Sequence, residues 1–128
     1  MTARQRKHAT LVHNEFEWHD ACVIDEVAPG GSLAVSIRDE QIAIVRTQDG
    51  VLAALSNFDP FSNAFVIARG MVGEYANAPT ITSPIYLQSF YLETGECLED
   101  RNTRLSVFPV RVWNGRIQIA LSRRVTTL

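Results

Sequence analysis

The sequence predicts an all-β domain, an antiparallel sandwich or barrel. Three observations carry this. Apolar residues recur with the two-residue period of strands. Asn-Gly and Asp-Gly pairs stand between such runs as hairpin turns. No window of about a dozen residues shows an amphipathic helical stripe. The 128 residues suit one domain. A domain of that size buries roughly two thirds of the surface its unfolded chain exposes, so it needs neither metal nor disulfide to fold.

The elements follow in order. Phe16 to Val27 and Leu33 to Ile37 read as two strands joined through the turn residues Pro29-Gly30-Gly31. Gln41 to Asn57 reads as a hairpin. Ile42, Ile44 and Val45 are β-branched, Asp49-Gly50 supplies the turn, and Val51 to Leu55 returns. Asn57 to Thr82 breaks the pattern: Asn57, Asp59, Pro60, Ser62, Asn63, Gly70 and Gly73 crowd a stretch with little alternation. A long irregular connection in a compact domain is usually functional or the remnant of something functional. Thr80 to Thr82 and Gln88 to Leu92 are short strand candidates, and Thr94-Gly95 is a further turn.

The clearest hairpin is the last. Val107 to Trp113 and Arg116 to Leu121 flank Asn114-Gly115, which suits a type I′ turn because both central residues need positive φ. Phe108, Val110, Val112, Ile117, Ile119 and Leu121 should face the core, with Arg111, Arg116 and Gln118 facing out. The sequence has no internal repeat or linker. It divides into an N-terminal extension (1–15), a domain (16–122) and a C-terminal tail (123–128).

Composition excludes several function classes. The net charge of −2 provides no global field for nucleic acid. The basic residues at the ends, Arg4, Arg6, Lys7, Arg123 and Arg124, read as solvated. No apolar h-region follows the first charges, and no run approaches the roughly 18 apolar residues of a membrane helix. A cytoplasmic chain with no membrane partner is the expectation. Cys22 and Cys97 read as reduced thiols packed as small hydrophobes, with a disulfide as the alternative. Trp18 and Trp113 read as core or rim packing and His19 as a surface histidine. There is no Gly-rich phosphate loop, no Ser/His/Asp set and no obvious pair of carboxylates, so no catalytic residue is assigned.

The irregular stretch resembles a known frame. A Rieske domain holds a [2Fe–2S] cluster with two cysteines and two histidines, drawn from two loops that read C-x-H and C-x-x-H. The first box often stands as N-x-C-P-H at a strand end, where this chain has Asn57-Phe58-Asp59-Pro60-Phe61. The second often reads C-P-x-H-G before an aromatic strand and a T-G turn. Here it is Ser83-Pro84-Ile85-Tyr86, then Phe90, Leu92, Thr94 and Gly95. The resemblance implies a Rieske-like, ISP-type antiparallel β-sandwich or barrel with degenerate cluster loops. Asp59, Phe61, Ser83 and Tyr86 stand at the four ligand positions. Phenylalanine offers iron no donor, and Asp, Ser and Tyr are hard oxygen donors, poorly matched to a thiolate and imidazole site. No C-x-H, C-x-x-C or C-x-x-H occurs anywhere in the chain, so neither a cluster nor another resident cofactor is expected. A metal site built from Asp59 and Tyr86 is the remaining metal reading. Packing should replace the cluster as the tie between the loops, with Phe61 and Tyr86 approaching one another.

The likeness narrows further. Asn57 to Glu74 and Ser83 to Leu98 resemble the small subunit of the assimilatory NAD(P)H-dependent nitrite reductase. That family lacks the cluster ligands and keeps a D-P-F turn, an R-G step and a C-L pair. Here these are Asp59-Pro60-Phe61, Arg69-Gly70 and Cys97-Leu98. Neither the D-P-F nor the R-G step is demanded by a Rieske fold as such. The resemblance implies an accessory, non-catalytic subunit beside a large subunit that carries FAD, a [4Fe–4S] cluster and sirohaem and reduces nitrite to ammonium. Phe58, Pro60, Arg69 and Gln88 are the candidate interface residues. For Asp59 a turn role competes with docking, and for Arg69 a plain surface charge does. Two other functions are weighed: a cluster-less structural or regulatory module of another oxidoreductase, and a small-ligand binding protein.

Overall fold

The structure is a computed structural model and describes residues 15–123. In chain order the strands are β1 (Phe16–Val23), β2 (Ser32–Ile37), β3 (Glu40–Arg46), β4 (Leu52–Ser56), β5 (Phe58–Asp59) and β6 (Ala64–Phe65). They continue as β7 (Met71–Tyr75), β8 (Ala78–Thr82), β9 (Ser89–Tyr91), β10 (Val107–Phe108), β11 (Val110–Trp113) and β12 (Arg116–Ser122). They form antiparallel sheets ordered β1-β12-β11, β10-β4-β3-β2 and β7-β8-β9, with β5-β6 as a short ladder. The all-β expectation holds.

The β10-β4-β3-β2 sheet is the middle layer. Ile42, Ile44 and Ala54 project from one face into a core shared with Cys22, Ile117, Ile119 and Leu121 of the β1-β12-β11 sheet. Ala43, Val45, Ala53 and Leu55 project from the other face onto Ile67, Ile81, Phe90 and Leu92. Cover on both faces explains why Ile42 to Val45 reads as an unbroken apolar run instead of alternating. Each large aliphatic side chain buried here contributes roughly 1.5–3 kcal/mol.

Several details depart from the sequence expectations. The first strand ends at Val23, where Ile24–Glu26 form a 3-10 turn, and a register shift lies between Asp20 and Cys22. Val107 to Trp113 is two strands. Pro109, which has no N–H to donate, marks the change: β10 pairs with β4 and β11 with β12. Val112 lies on an edge strand and is 45% exposed, so it does not face the core. The Asn114-Gly115 turn forms as expected, with φ of 52° and 74°. Arg38-Asp39 and Ala76-Asn77 also take positive φ and close the β2–β3 and β7–β8 hairpins. Of the core and rim readings of Trp18 and Trp113 the core one fails, since both are exposed, and the Arg111 guanidinium lies 4.1 Å over the Trp18 ring. Cys22 and Cys97 are free thiols in the two different cores, and burial pushes both up from the usual thiol range.

Candidate functional site: the two-loop tip

The irregular stretch has definite structure. Asn57 is buried, and its Oδ1 accepts the Ala68 N–H at 2.7 Å, fixing the 3-10 turn Ile67–Arg69. Gly70 follows. A Cβ there would lie 2.3 Å from the Thr82 carbonyl oxygen and 3.1 Å from Ile81 Cγ1. The glycine of the R-G step is therefore required by the packing of this chain, while Arg69 beside it is exposed. The Met71–Thr82 hairpin then leads into the second loop.

The two loops meet through a buried hydrogen bond. Ser83 Oγ donates to Asp59 Oδ2 at 2.6 Å across 24 positions of sequence, and neither residue is exposed. Ser62 Oγ donates to the same Oδ2 at 2.9 Å, and the Phe61 N–H donates to Asp59 Oδ1 at 2.9 Å. Burial pushes the Asp59 carboxyl up, but the bonds from Ser83, Phe61 and Ser62 together outweigh it and leave the pKa below the usual carboxylate value. The turn role expected of Asp59 is present, and the long-range bond to Ser83 is added to it.

The aromatic tie differs from the expectation. Phe61 packs against Phe90, ring centroids 6.3 Å apart, beside the core. Tyr86 is 62% exposed. It has turned to solvent because the loop Pro84–Leu87 bulges outward, with Ser83 N–H donating to Gln88 O at 2.9 Å across its base. Leu87 sits at φ 63° and is 64% exposed, and Pro84 and Ile85 are exposed beside it. This apolar loop was missed from sequence, where only spacing was legible and not the direction of its side chains.

Among the candidate interface residues, Pro60 and Arg69 are exposed. Phe58 is half-buried against Phe65, rings 5.2 Å apart. Gln88 is half-buried, and its Oε1 has no hydrogen-bond partner among the described residues.

A Rieske cluster needs two thiolates and two imidazoles. Asp59 and Ser83 satisfy one another, Phe61 has no donor and Tyr86 is mostly exposed. The cysteines lie in separate cores, and His19 is on β1, 3.4 Å from a Glu17 carboxylate oxygen. His8 and His13 lie outside the described residues. The donor set at the loops does not fit the cluster. Among the described residues no three His, Cys, Asp or Glu side chains gather to hold a metal ion, and no helix is long and apolar enough to cross a membrane.

Stacked antiparallel sheets with two apposed loops at one end define a Rieske-type domain, and the Rieske-like [2Fe–2S] domain family model matches residues 17–120. The nitrite reductase (NADH) small subunit of Escherichia coli strain K12 is 34% identical over 104 residues, 80% of this chain and 96% of that protein. A crystal structure from Mycobacterium tuberculosis, provisionally described as an NADH-dependent nitrite reductase small subunit, matches with TM-score 0.78 and 40% identity. It covers 88% of this chain and 98% of that one. The nitrite reductase [NAD(P)H] large subunit of Klebsiella oxytoca is 30% identical over 102 residues, 80% of this chain and 11% of that longer one. The chain belongs to the nitrite reductase (NADH) small subunit family.

Proposed function

We propose that this chain is the accessory small subunit of a cytoplasmic NAD(P)H-dependent nitrite reductase in nitrate assimilation, with no iron–sulfur cluster and no active site of its own. The match over 96% of the Escherichia coli small subunit carries the reading. The stretch of the Klebsiella large subunit similar to this chain supports a large-subunit partner. FAD, [4Fe–4S] and sirohaem would all sit on the large subunit. The cluster-free part is supported by Asp59, whose carboxylate already accepts three hydrogen bonds from its own protein.

The tip is the proposed contact. Pro60, Pro84, Ile85, Tyr86 and Leu87 present exposed apolar surface on the two loops that Asp59 and Ser83 join, and Arg69 is an exposed cation. Exposed apolar clusters of this kind mark interaction sites, and aromatic and Arg side chains are enriched where binding energy concentrates. The test is affinity purification of the tagged chain from nitrate-grown cells, read by mass spectrometry and by nitrite-dependent NAD(P)H oxidation. Recovery of a large sirohaem flavoprotein with that activity supports the proposal. Recovery of another redox enzyme, or of none, overturns it.

A further inference from the structure

We infer that Asp59 and Ser83 form a clamp that takes over the mechanical work of a cluster, holding the two loops together and setting the posture of the apolar loop Pro84–Leu87 for docking. The docking half of this inference rests on the function proposed above.

The acceptor is prepared by its own loop. Asp59 is fixed by the Phe61 N–H and by Ser62 Oγ, so its Oδ2 is already aimed when Ser83 arrives. A hydrogen bond to an ionised carboxylate is shorter and stronger than a neutral one, and water does not reach this one, because neither residue is exposed. The donor is equally well placed. Ser83 is the first residue of the second loop, and its N–H to Gln88 O closes that loop at its base. Fixing Ser83 therefore fixes the root of Pro84 to Leu87. The loop needs such a hold, because Leu87 adopts a left-handed φ of 63° with most of its side chain in water. Backbone strain of that kind persists where surrounding structure imposes it. The Phe61–Phe90 packing adds adhesion at 6.3 Å between centroids, but ring contacts are less directional than a charged hydrogen bond, so the clamp sets the angle.

The experiment uses the full chain and its large subunit. Ser83→Ala removes the bond between the loops and leaves the bonds within the first loop intact. Ser83→Cys is close in shape with a weaker donor. Hydrogen exchange on the free chain should show the residue 83 amide, which donates to Gln88 O, exchanging about tenfold faster in Ser83→Ala, a larger change than at β3 and β12, with Ser83→Cys falling between. Affinity for the large subunit should fall about tenfold, in the same order, while the free chain keeps the far-UV circular dichroism of wild type and unfolds cooperatively at a somewhat lower urea midpoint. A loop whose exchange is unchanged in Ser83→Ala overturns the clamp. Faster exchange with unaltered affinity overturns its role in docking. Faster exchange in Ser83→Ala, with a wild-type chain that never binds the large subunit, refutes the proposed function and leaves the clamp standing.

Discussion

Gly70 passes so close to Thr82 that a Cβ on residue 70 would stand 2.3 Å from the Thr82 carbonyl oxygen. The obstacle is backbone, which cannot rotate aside, and it belongs to the strand that delivers Ser83. Gly70→Ala should therefore destabilise the chain by about 1–3 kcal/mol through overpacking, more than the roughly 0.4–1 kcal/mol that Gly→Ala gains by restricting the unfolded chain. Urea denaturation reads the difference as a lowered midpoint at unchanged slope.

Asp59 should dominate the acid response of the tip. Its folded pKa is depressed by the Ser83, Phe61 and Ser62 bonds against the opposing effect of burial. Its stabilisation is then fully present above the unfolded carboxylate value of about 3.9 and is lost as pH falls through the lower folded value. Asp59→Asn carries no titrating group there. The gap in unfolding free energy between wild type and Asp59→Asn should shrink as pH is lowered from about 5 towards 2. Asp59→Ala at neutral pH leaves three donors without their acceptor and should cost about 3 kcal/mol.

Phe61 and Tyr86 should separate stability from binding. Phe61 is partly buried on Phe90 and the core, so Phe61→Ala should cost about 2 kcal/mol, less than a fully buried aromatic. Tyr86 is mostly in water, so Tyr86→Ala should stay within about 0.5 kcal/mol in stability while weakening association with the large subunit. Thermal unfolding and binding titration on the same two variants give this comparison.

The legible parts of this protein were those decided by neighbours in sequence. Asn114-Gly115 announced its turn because positive φ at both residues is cheapest for that pair. Ala76-Asn77 makes a similar turn without glycine, so the Met71–Thr82 hairpin hid inside an apparently irregular stretch. Val112 carried the alternation of a core strand, but alternation does not reveal that Pro109 moves the chain from one sheet to another and leaves Val112 at an edge. The spacing of Asp59, Phe61, Ser83 and Tyr86 picked out the two loops that the structure joins. The Asp59–Ser83 bond was not legible, since the two residues stand 24 positions apart and the chain between them must fold before their side chains meet.

Leu87 offers a trade between stability and function. At φ 63° asparagine tolerates the backbone better than leucine, and the leucine side chain is mostly exposed. Leu87→Asn should hold or raise stability, by up to about 1 kcal/mol, while removing apolar surface from the tip and lowering affinity for the large subunit. A rise in unfolding midpoint together with faster dissociation from the large subunit is the expected pair of readings.

The most direct measurement is native mass spectrometry of the chain co-expressed with its large subunit. The account predicts a specific complex that releases this chain at its apo mass of 14.3 kDa, with no iron or sulfide bound. Release of a chain carrying two irons and two sulfides, or no complex at all, would contradict it.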